Sequence, residues 1–160
     1  MDILMVCLGN ICRSPMMEGW LADALARQPG LAGRVRVDSA AIGPWHVGRP
    51  PDPRAIAVAA RHGVDISGQR ARRLVPADFV NFDLVLFADA DTLRDGLELA
   101  RAADVDEVKI GRYLEWAGVP GDADLADPYY GDAAGFQRAW ERVAEGGEAI
   151  IARLLAGSGA

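Results

Sequence analysis

Cysteine and histidine are scarce in this sequence, and their scarcity argues against two kinds of site. The 160 residues include two cysteines, with four residues between them, and two histidines. Such a cysteine pair does not make the disulfide framework of a small secreted domain, and two histidines argue against a histidine-rich metal site. We therefore predict a protein that uses neither a metal nor another cofactor.

Long apolar runs and an excess of positive charge are missing too. No segment approaches the ~18 consecutive apolar residues of a membrane-spanning helix, and no charged and then apolar leader precedes Cys7. The formal net charge of −6 disfavours general binding to nucleic acids. We expect a cytoplasmic protein that neither inserts into membranes nor binds nucleic acid.

Strand and helix patterns alternate along the chain. At 160 residues and 51% hydrophobic composition, one domain spanning residues 1–160 can bury a substantial core. Strands are predicted over residues 3–6, 34–38, 83–88 and 105–110. Helices are predicted from Ser14 to the Pro29–Gly30 break and over residues 53–62, 92–103 and 135–155. This order predicts a three-layer α/β domain with a central, about four-stranded parallel sheet flanked by helices.

The loop after the first strand combines a thiol with an anion site. Cys7 and Arg13 bracket it, and Ser14 followed by Pro15 is typical of a helix start, with Ser14 as N-cap. Loop amides and the positive end of the helix dipole would converge on an anion. No Gly-Lys-Ser/Thr is present to hold a nucleotide. The sequence therefore predicts a phosphate-binding loop with a cysteine at its base.

The two ends of this loop suit phosphoryl transfer. A helix N-terminus and a nearby cation favour the thiolate of Cys7, which would attack without a separate base. The planar fork of Arg13 matches two phosphoryl oxygens, and the loop amides would stabilise the charge of the transition state. Ser14 would donate to the Cys7 sulfur when the thiolate leaves. Taken singly, each feature also fits a buried cysteine, a turn or a capped helix.

These residues carry a resemblance to a known family. The segment Val6–Pro15 (VCLGNICRSP) closely resembles the signature loop of the low-molecular-weight protein tyrosine phosphatases. Further resembling segments, spread over nearly the whole chain, are Asp38–Ala41, Pro50–Asp52, Arg61–Gly63 and Asp127–Gly131. The resemblance implies metal-independent hydrolysis of phosphotyrosine in a protein substrate through a cysteinyl-phosphate. We expect a monomer or weak dimer.

Asp127 is the predicted proton donor. The leaving phenolate needs a proton in the transition state, and Asp127 precedes Pro128 in a segment with the composition of a loop. From the residues alone an ordinary Asp-Pro turn fits as well. The resemblance implies that Asp127 is the general acid and then the base, and Tyr129 and Tyr130 could flank an aromatic substrate.

Other residues complete the predicted site. Trp45, in the loop of residues 43–53, is either a packing residue or a wall for an aryl group. Ser39 and Asp89 are predicted to support the site, Asp89 by holding Arg13 or Asp127, unless it only caps the next helix. The predicted substrate-binding residues are Leu8, Gly9, Asn10, Ile11, Cys12, Ser14, Trp45, Tyr129 and Tyr130.

One position departs from the family pattern. Many relatives have a histidine that braces the loop asparagine where this chain has Gly68. Ser14 and Ser39 remain as possible braces for Asn10, which is expected in a left-handed conformation that asparagine tolerates. The basic run of Arg70, Arg72 and Arg73 is predicted to be a solvated face.

Cys12 has no role in the phosphatase mechanism. Packing alone could explain it, but we hypothesise, in line with the family resemblance, that Cys7 and Cys12 form a reversible protective disulfide. Two other functions remain open. A thiol-dependent arsenate reductase of the same fold would need further cysteines, and a non-catalytic phosphopeptide-binding module would need neither the thiol nor Asp127.

Overall fold

The computed structural model describes residues 1–105 and 109–158, in which strands alternate with helices. The strands are β1 (Asp2–Cys7), β2 (Arg36–Ala41), β3 (Leu84–Phe87) and β4 (Ile110–Arg112). The helices are α1 (Arg13–Arg27), α2 (Pro53–Arg61), α3 (Asp78–Asn81), α4 (Ala90–Ala102), α5 (Tyr113–Ala117) and α6 (Ala133–Ser158). No helix within these ranges is both long enough and apolar enough to cross a membrane.

The sheet separates two layers of helices. The strand order is β2-β1-β3-β4 with parallel pairing throughout, as predicted. Because side chains alternate along a strand, Ile3 and Met5 pack into the larger core cluster with α1, α2, α5 and α6. Leu4 and Val6 pack into the smaller cluster with residues of α3 and α4. The predicted single three-layer α/β domain is confirmed for the described residues.

β1 and β3 lie within one residue of their predicted bounds, and the other two strands differ more. The predicted strand over residues 34–38 starts and ends later, because β2 pairs with β1 as far as Cys7 opposite Ala41. Ser39 therefore lies inside β2 rather than after it. Of the strand predicted over residues 105–110, residues 106–108 lie outside the described residues, and β4 runs from Ile110 to Arg112.

The first helix begins before the predicted start. Cys12 is the N-cap of α1, so Arg13 is its first residue and the prediction of Ser14 as N-cap is wrong. The reason is that the Ser14 hydroxyl is engaged by Cys7 Sγ at 3.0 Å and by Asn10 Nδ2 at 2.7 Å. Pro15 still fits, because first-turn amides have no acceptor within the helix.

The remaining helices follow the predicted order, with small shifts. α2 starts as predicted, with Asp52 as N-cap and Pro53 as its first residue. α4 starts at Ala90, two residues early, because Asp89 caps it through the Thr92 amide. The short helices α3 and α5 were not predicted, since four or five residues are too few to show a helical period.

Close packing explains the two adjacent glycines in α6. A Cβ on Gly146 would lie 2.3 Å from the Tyr113 ring, and one on Gly147 would lie 2.1 Å from the Trp20 ring. Both aromatic rings thus lie directly on the helix backbone. The helix propensity that the glycines lose, about 1 kcal/mol each, is offset by this contact.

Candidate active site

A cleft of about 320 Å³ opens at the carboxyl ends of the strands, where the loop between β1 and α1 lies. Its lining residues are Cys7, Leu8, Gly9, Ile11, Cys12, Arg13, Trp45, His46, Asp127, Tyr129 and Tyr130. The fold thus brings the three predicted catalytic residues to one cleft with most of the predicted substrate-binding residues. Asn10, Ser14 and Asp89 do not line the cleft but bond to residues that do, and Ser39 bonds to Asn10.

Cys7 is the last residue of β1, and its sulfur lies at the base of the loop. The Asn10 amide donates to Cys7 Sγ at 3.3 Å, and the Ser14 hydroxyl lies 3.0 Å from the same sulfur. No described side chain caps the first turn of α1. Its amides therefore remain available for an anion next to the thiol.

Arg13 is buried and held at its guanidinium. Nη1 donates to Asp89 Oδ2 at 2.6 Å and to the Leu125 carbonyl at 2.9 Å, while Nη2 lies 3.6 Å from Asp127 Oδ2. Burial opposes the charged form of Arg13, but the Cys7 sulfur and the carboxylates outweigh it and raise its pKa. The guanidinium is therefore a fixed cation at the edge of the loop.

Asp89 both caps α4 and holds Arg13, the two roles between which the sequence did not decide. Oδ1 accepts from the Thr92 amide at 2.8 Å and so caps α4, while Oδ2 accepts from Arg13. Burial favours the neutral acid, but the hydrogen bonds from Arg13 and Thr92 outweigh burial and lower its pKa. Asp89 therefore stays ionised and orients Arg13 from behind.

Asn10 is the internal brace of the loop. Its φ of 57° is left-handed, as expected. Its side-chain nitrogen donates to Ser14 Oγ at 2.7 Å and Ser39 Oγ at 2.9 Å, and its oxygen accepts from the Arg72 amide at 3.1 Å. A Cβ on Gly68 would have no heavy atom within 4 Å beyond its chain neighbours. The two serines and a backbone amide thus brace Asn10 in this chain.

A partly buried glutamate extends this network from Ser39. Ser39 Oγ donates to Glu18 Oε1 at 2.7 Å. Burial raises the pKa of Glu18 to about 7, although the bond from Ser39 opposes the rise. Glu18 therefore titrates behind the loop, two hydrogen bonds from Asn10.

The basic run is only in part a solvated face. Arg72 pairs with Asp38 at 3.1 Å and with the buried Asp78 at 3.1 Å, and is itself half-buried. For Arg72 the prediction of a solvated position was wrong, because its backbone amide is needed at Asn10 and its side chain follows it inward. Arg70 and Arg73 are exposed and bond to nearby carbonyls.

The Asp127–Gly131 segment forms the opposite rim. The Asp127 side chain is 35% exposed, and its Oδ1 accepts from the Tyr129 amide at 3.1 Å. Tyr129 and Tyr130 meet edge to face, with ring centroids 4.8 Å apart. Trp45 completes the rim and is 64% exposed, its ring lying on Gly43. The rim therefore offers aromatic surface around an acid.

Several residues of the site were not predicted from the sequence. His46 lines the cleft, and a Cβ on Gly9 would lie 3.0 Å from its ring, so Gly9 permits this close approach. Its position beside Trp45 was the available signal. Glu18 and Arg54 gave no signal of their own, because Ser39, Tyr129 and Gly131, to which they bond, lie far away in the sequence.

Cys12 lies in the cleft wall as a buried free thiol. Burial, together with the nearby negative charges, raises its pKa well above the usual range of a thiol. Cys12 is therefore protonated at neutral pH. Within residues 1–105 and 109–158, no three histidine, cysteine, aspartate or glutamate side chains are grouped to hold a metal ion.

Known proteins resemble this chain in sequence and fold along most of their length. A family model described as "Low molecular weight phosphotyrosine protein phosphatase" matches residues 2–157. The low molecular weight protein-tyrosine-phosphatase YfkJ of Bacillus subtilis is 35% identical over 153 residues, which cover 96% of this chain and 95% of the relative. Its crystal structure covers 98% of this chain and 96% of its own, at 34% identity and a TM-score of 0.89.

Two further solved structures differ in what they bind or act on. Wzb of Vibrio vulnificus, in complex with benzylphosphonate, has a TM-score of 0.81 at 28% identity, covering 95% of this chain and 97% of its own. A Drosophila arginine phosphatase has a TM-score of 0.89 at 28% identity, and the match covers 96% of this chain and 98% of that chain. The chain therefore belongs to the low molecular weight phosphotyrosine protein phosphatase family.

Proposed function

We propose that this cleft hydrolyses phosphotyrosine in protein substrates, with Cys7 as nucleophile, Arg13 as oxyanion clamp and Asp127 as acid and base. The observation that carries the proposal is the convergence of these three side chains on one cleft. Binding a phosphate alone would require neither a thiol at the base nor a carboxyl group at the rim. Membership of the family supports the same activity.

In the first step the Cys7 thiolate attacks phosphorus. The S–P bond forms as the bond to the phenolic oxygen breaks, and Asp127 gives its proton to that oxygen. Arg13 and the amides of the loop stabilise the charge on the three equatorial oxygens. Ser14, 3.0 Å from the sulfur, suits a donor that stabilises the thiolate.

In the second step water replaces the sulfur. The Asp127 carboxylate takes a proton from the water, which attacks phosphorus as the S–P bond breaks, and phosphate and the Cys7 thiolate are released. The same side chain thus serves as acid and then as base. Its exposed position at the rim leaves room for the water.

The rim supports an aryl ester as substrate. Trp45, Tyr129 and Tyr130 give the mouth of the cleft an aromatic surface against which a tyrosine ring can pack, with its phosphate reaching the loop. The benzylphosphonate bound to Wzb is an aryl ligand of this kind.

We also propose that the protein acts in the cytoplasm as a monomer or weak dimer.

Hydrolysis of a phosphotyrosine peptide tests the proposal directly. The wild-type protein should release phosphate equally with and without EDTA, whereas Cys7→Ser should release none and still bind vanadate, because the loop amides and Arg13 are retained. A Cys7→Ser variant that keeps activity would overturn the assignment of the nucleophile. A phosphoarginine peptide, run in parallel, separates the activity named for the Drosophila relative from the one proposed here.

The same assay separates the alternatives. A non-catalytic module would bind the peptide without releasing phosphate. An arsenate reductase passes a disulfide outward through further cysteines, and Cys7 and Cys12 are the cysteines of this sequence. Thiol-dependent arsenate reduction without phosphate release would favour that function instead.

A further inference from the structure

Arg54 links two parts of the cleft that are distant in sequence. From the first turn of α2 its Nη2 donates to the Tyr129 carbonyl at 2.9 Å, and its Nη1 donates to the Gly131 carbonyl at 3.0 Å. Its guanidinium also stacks on the Phe136 ring, 4.5 Å from the centroid. One side chain thus binds both sides of the turn that follows Asp127.

Asp52 connects the Arg54 side chain to the phosphate loop. The Asp52 amide donates to the Ile11 carbonyl at 2.8 Å, which joins the start of α2 to the loop. The Asp52 carboxylate accepts from Arg54 Nε at 3.0 Å and Nη2 at 2.9 Å. This bidentate pair sets the direction of the guanidinium.

The other end of the link reaches the acid. Arg54 orients the peptide units of Tyr129 and Gly131, and the Tyr129 amide in turn holds Asp127 Oδ1. Gly131 closes the turn by donating to the Pro128 carbonyl at 2.9 Å. The path from the phosphate loop to the Asp127 carboxyl group is therefore continuous, and Arg54 is its middle element.

The charge of Arg54 is already matched. Its hydrogen bonds go to one carboxylate and two carbonyls, whereas Arg13 is the arginine that lines the cleft. Arg54 is therefore suited to holding the protein rather than the phosphate. Lysine could supply the charge but not the planar fork that reaches these partners together.

We propose that Arg54 is a positioning residue, which holds the Asp127–Gly131 segment at a fixed distance from the phosphate loop so that Asp127 reaches the leaving oxygen. This inference rests on the function proposed above. A carboxyl group displaced by about 1 Å can lose up to ~10²-fold in rate. The loss should fall on esters whose leaving group needs protonation.

The test compares Arg54→Ala and Arg54→Lys on two substrates. For phenyl phosphate, whose phenolate is a poor leaving group, kcat/KM should fall by about 10- to 100-fold in Arg54→Ala. For 2,4-dinitrophenyl phosphate, whose dinitrophenolate departs without a proton, kcat/KM should fall by less than about 3-fold. Arg54→Lys should lie between Arg54→Ala and wild type on phenyl phosphate, and the vanadate inhibition constant should not change.

Arg70→Ala is the matched control, since Arg70 is an exposed arginine that also donates to two carbonyls, those of Ser67 and Gln69. It should behave like wild type on both substrates. Hydrogen exchange gives a second readout without turnover, because amides of residues 127–132 should exchange faster in Arg54→Ala and not in Arg70→Ala.

Equal losses on both substrates, or unchanged hydrogen exchange in residues 127–132, would overturn the positioning role. A uniform loss with a lower melting temperature would make Arg54 a merely structural residue and also overturn it. Failure of the underlying function would look different, since the wild-type protein would then hydrolyse neither ester.

Discussion

The two sides of the cleft are built in opposite ways. The phosphate loop is closed and buried: Asn10, Arg13 and Ser14 are at most 3% exposed, and each bonds to partners within the protein. The rim is open, with Trp45 at 64% and Tyr130 at 93% exposure. One side is preorganised before a ligand arrives, and the other keeps its aromatic surface free.

This difference matches what each side must do in the proposed reaction. Every ester presents the same three phosphoryl oxygens to the loop in the transition state, so rigid donors there lower the barrier without reorganising. The leaving group varies between substrates, so the rim that meets it is a surface loop. We therefore expect changes at the loop to affect all substrates alike, and changes at the rim to depend on the substrate.

Asp127→Ala should separate the two sides with the largest effect. The variant loses the rim acid and keeps the loop, so kcat on a phosphotyrosine peptide should fall by ~10²–10⁴ with little change in KM. In kcat/KM, which reports the first step, the loss should shrink for esters with good leaving groups, and vanadate binding should be kept. Asp91→Ala, an exposed carboxylate on α4, is the control. An Asp127→Ala enzyme with full kcat on phenyl phosphate would refute the assignment.

Arg13→Lys should break the loop side instead. Charge is retained, but the bidentate fork is lost, so kcat/KM should fall by at least ~10², or roughly 3 kcal/mol, on every ester. The loss should not depend on the leaving group, in contrast to Asp127→Ala. Steady-state kinetics on a series of substituted phenyl phosphates provides the comparison. Near-wild-type kcat/KM would mean that Arg13 is only a neighbouring charge.

Cys12→Ser asks whether the closed loop protects its own nucleophile. In the wild-type protein mild peroxide should convert Cys7 to the sulfenic acid, which Cys12 attacks with loss of water to give a disulfide. Intact mass should fall by about 2 Da, and reductant should restore activity. Because burial keeps Cys12 protonated, the disulfide should form faster at higher pH.

The variant should instead be inactivated permanently, through sulfinic and sulfonic forms of Cys7. Recovery of Cys12→Ser to the wild-type level after reductant would leave Cys12 with a packing role alone. Peroxide treatment of both proteins at one pH, followed by mass spectrometry, decides between the two.

Glu18→Gln should give the smallest change, in stability rather than in turnover. The folded state raises the pKa of Glu18 from 4.5 to about 7. The folded protein therefore binds the extra proton between these values, and its stability falls as pH rises from about 4.5 to 7, by roughly 3 kcal/mol in all. The negative charge of Asp38 favours the protonated form of Glu18, and the positive charge of Arg72 favours the ionised form.

Glu18→Gln should lose this pH dependence and be more stable than wild type at pH 8. Urea unfolding at pH 5 and pH 8 measures both effects, with Glu98→Gln, an exposed glutamate on α4, as the control. Parallel pH profiles for Glu18→Gln and wild type would show that Glu18 does not titrate behind the loop.

Much of the loop side was predictable because it is local. Cys7, Asn10, Arg13 and Ser14 lie within eight consecutive residues between a strand and a helix, so composition and spacing alone indicate a phosphate cradle with a thiol. The alternation of apolar segments likewise predicted the parallel sheet. The family resemblance added Asp127, which the residues alone left open as an ordinary turn.

The partners of these residues were decided by the tertiary structure. The bond from Ser39 to Glu18, the Arg72 amide at Asn10 and the bonds from Arg54 to the Tyr129 and Gly131 carbonyls join segments that are distant in the sequence. Periodicity and turn chemistry act over a few residues, whereas such contacts depend on how helices pack against the sheet. The sequence by itself therefore indicated the thiol and the arginine of the loop, and tertiary packing decided what holds them in place and brings Asp127 to the same cleft.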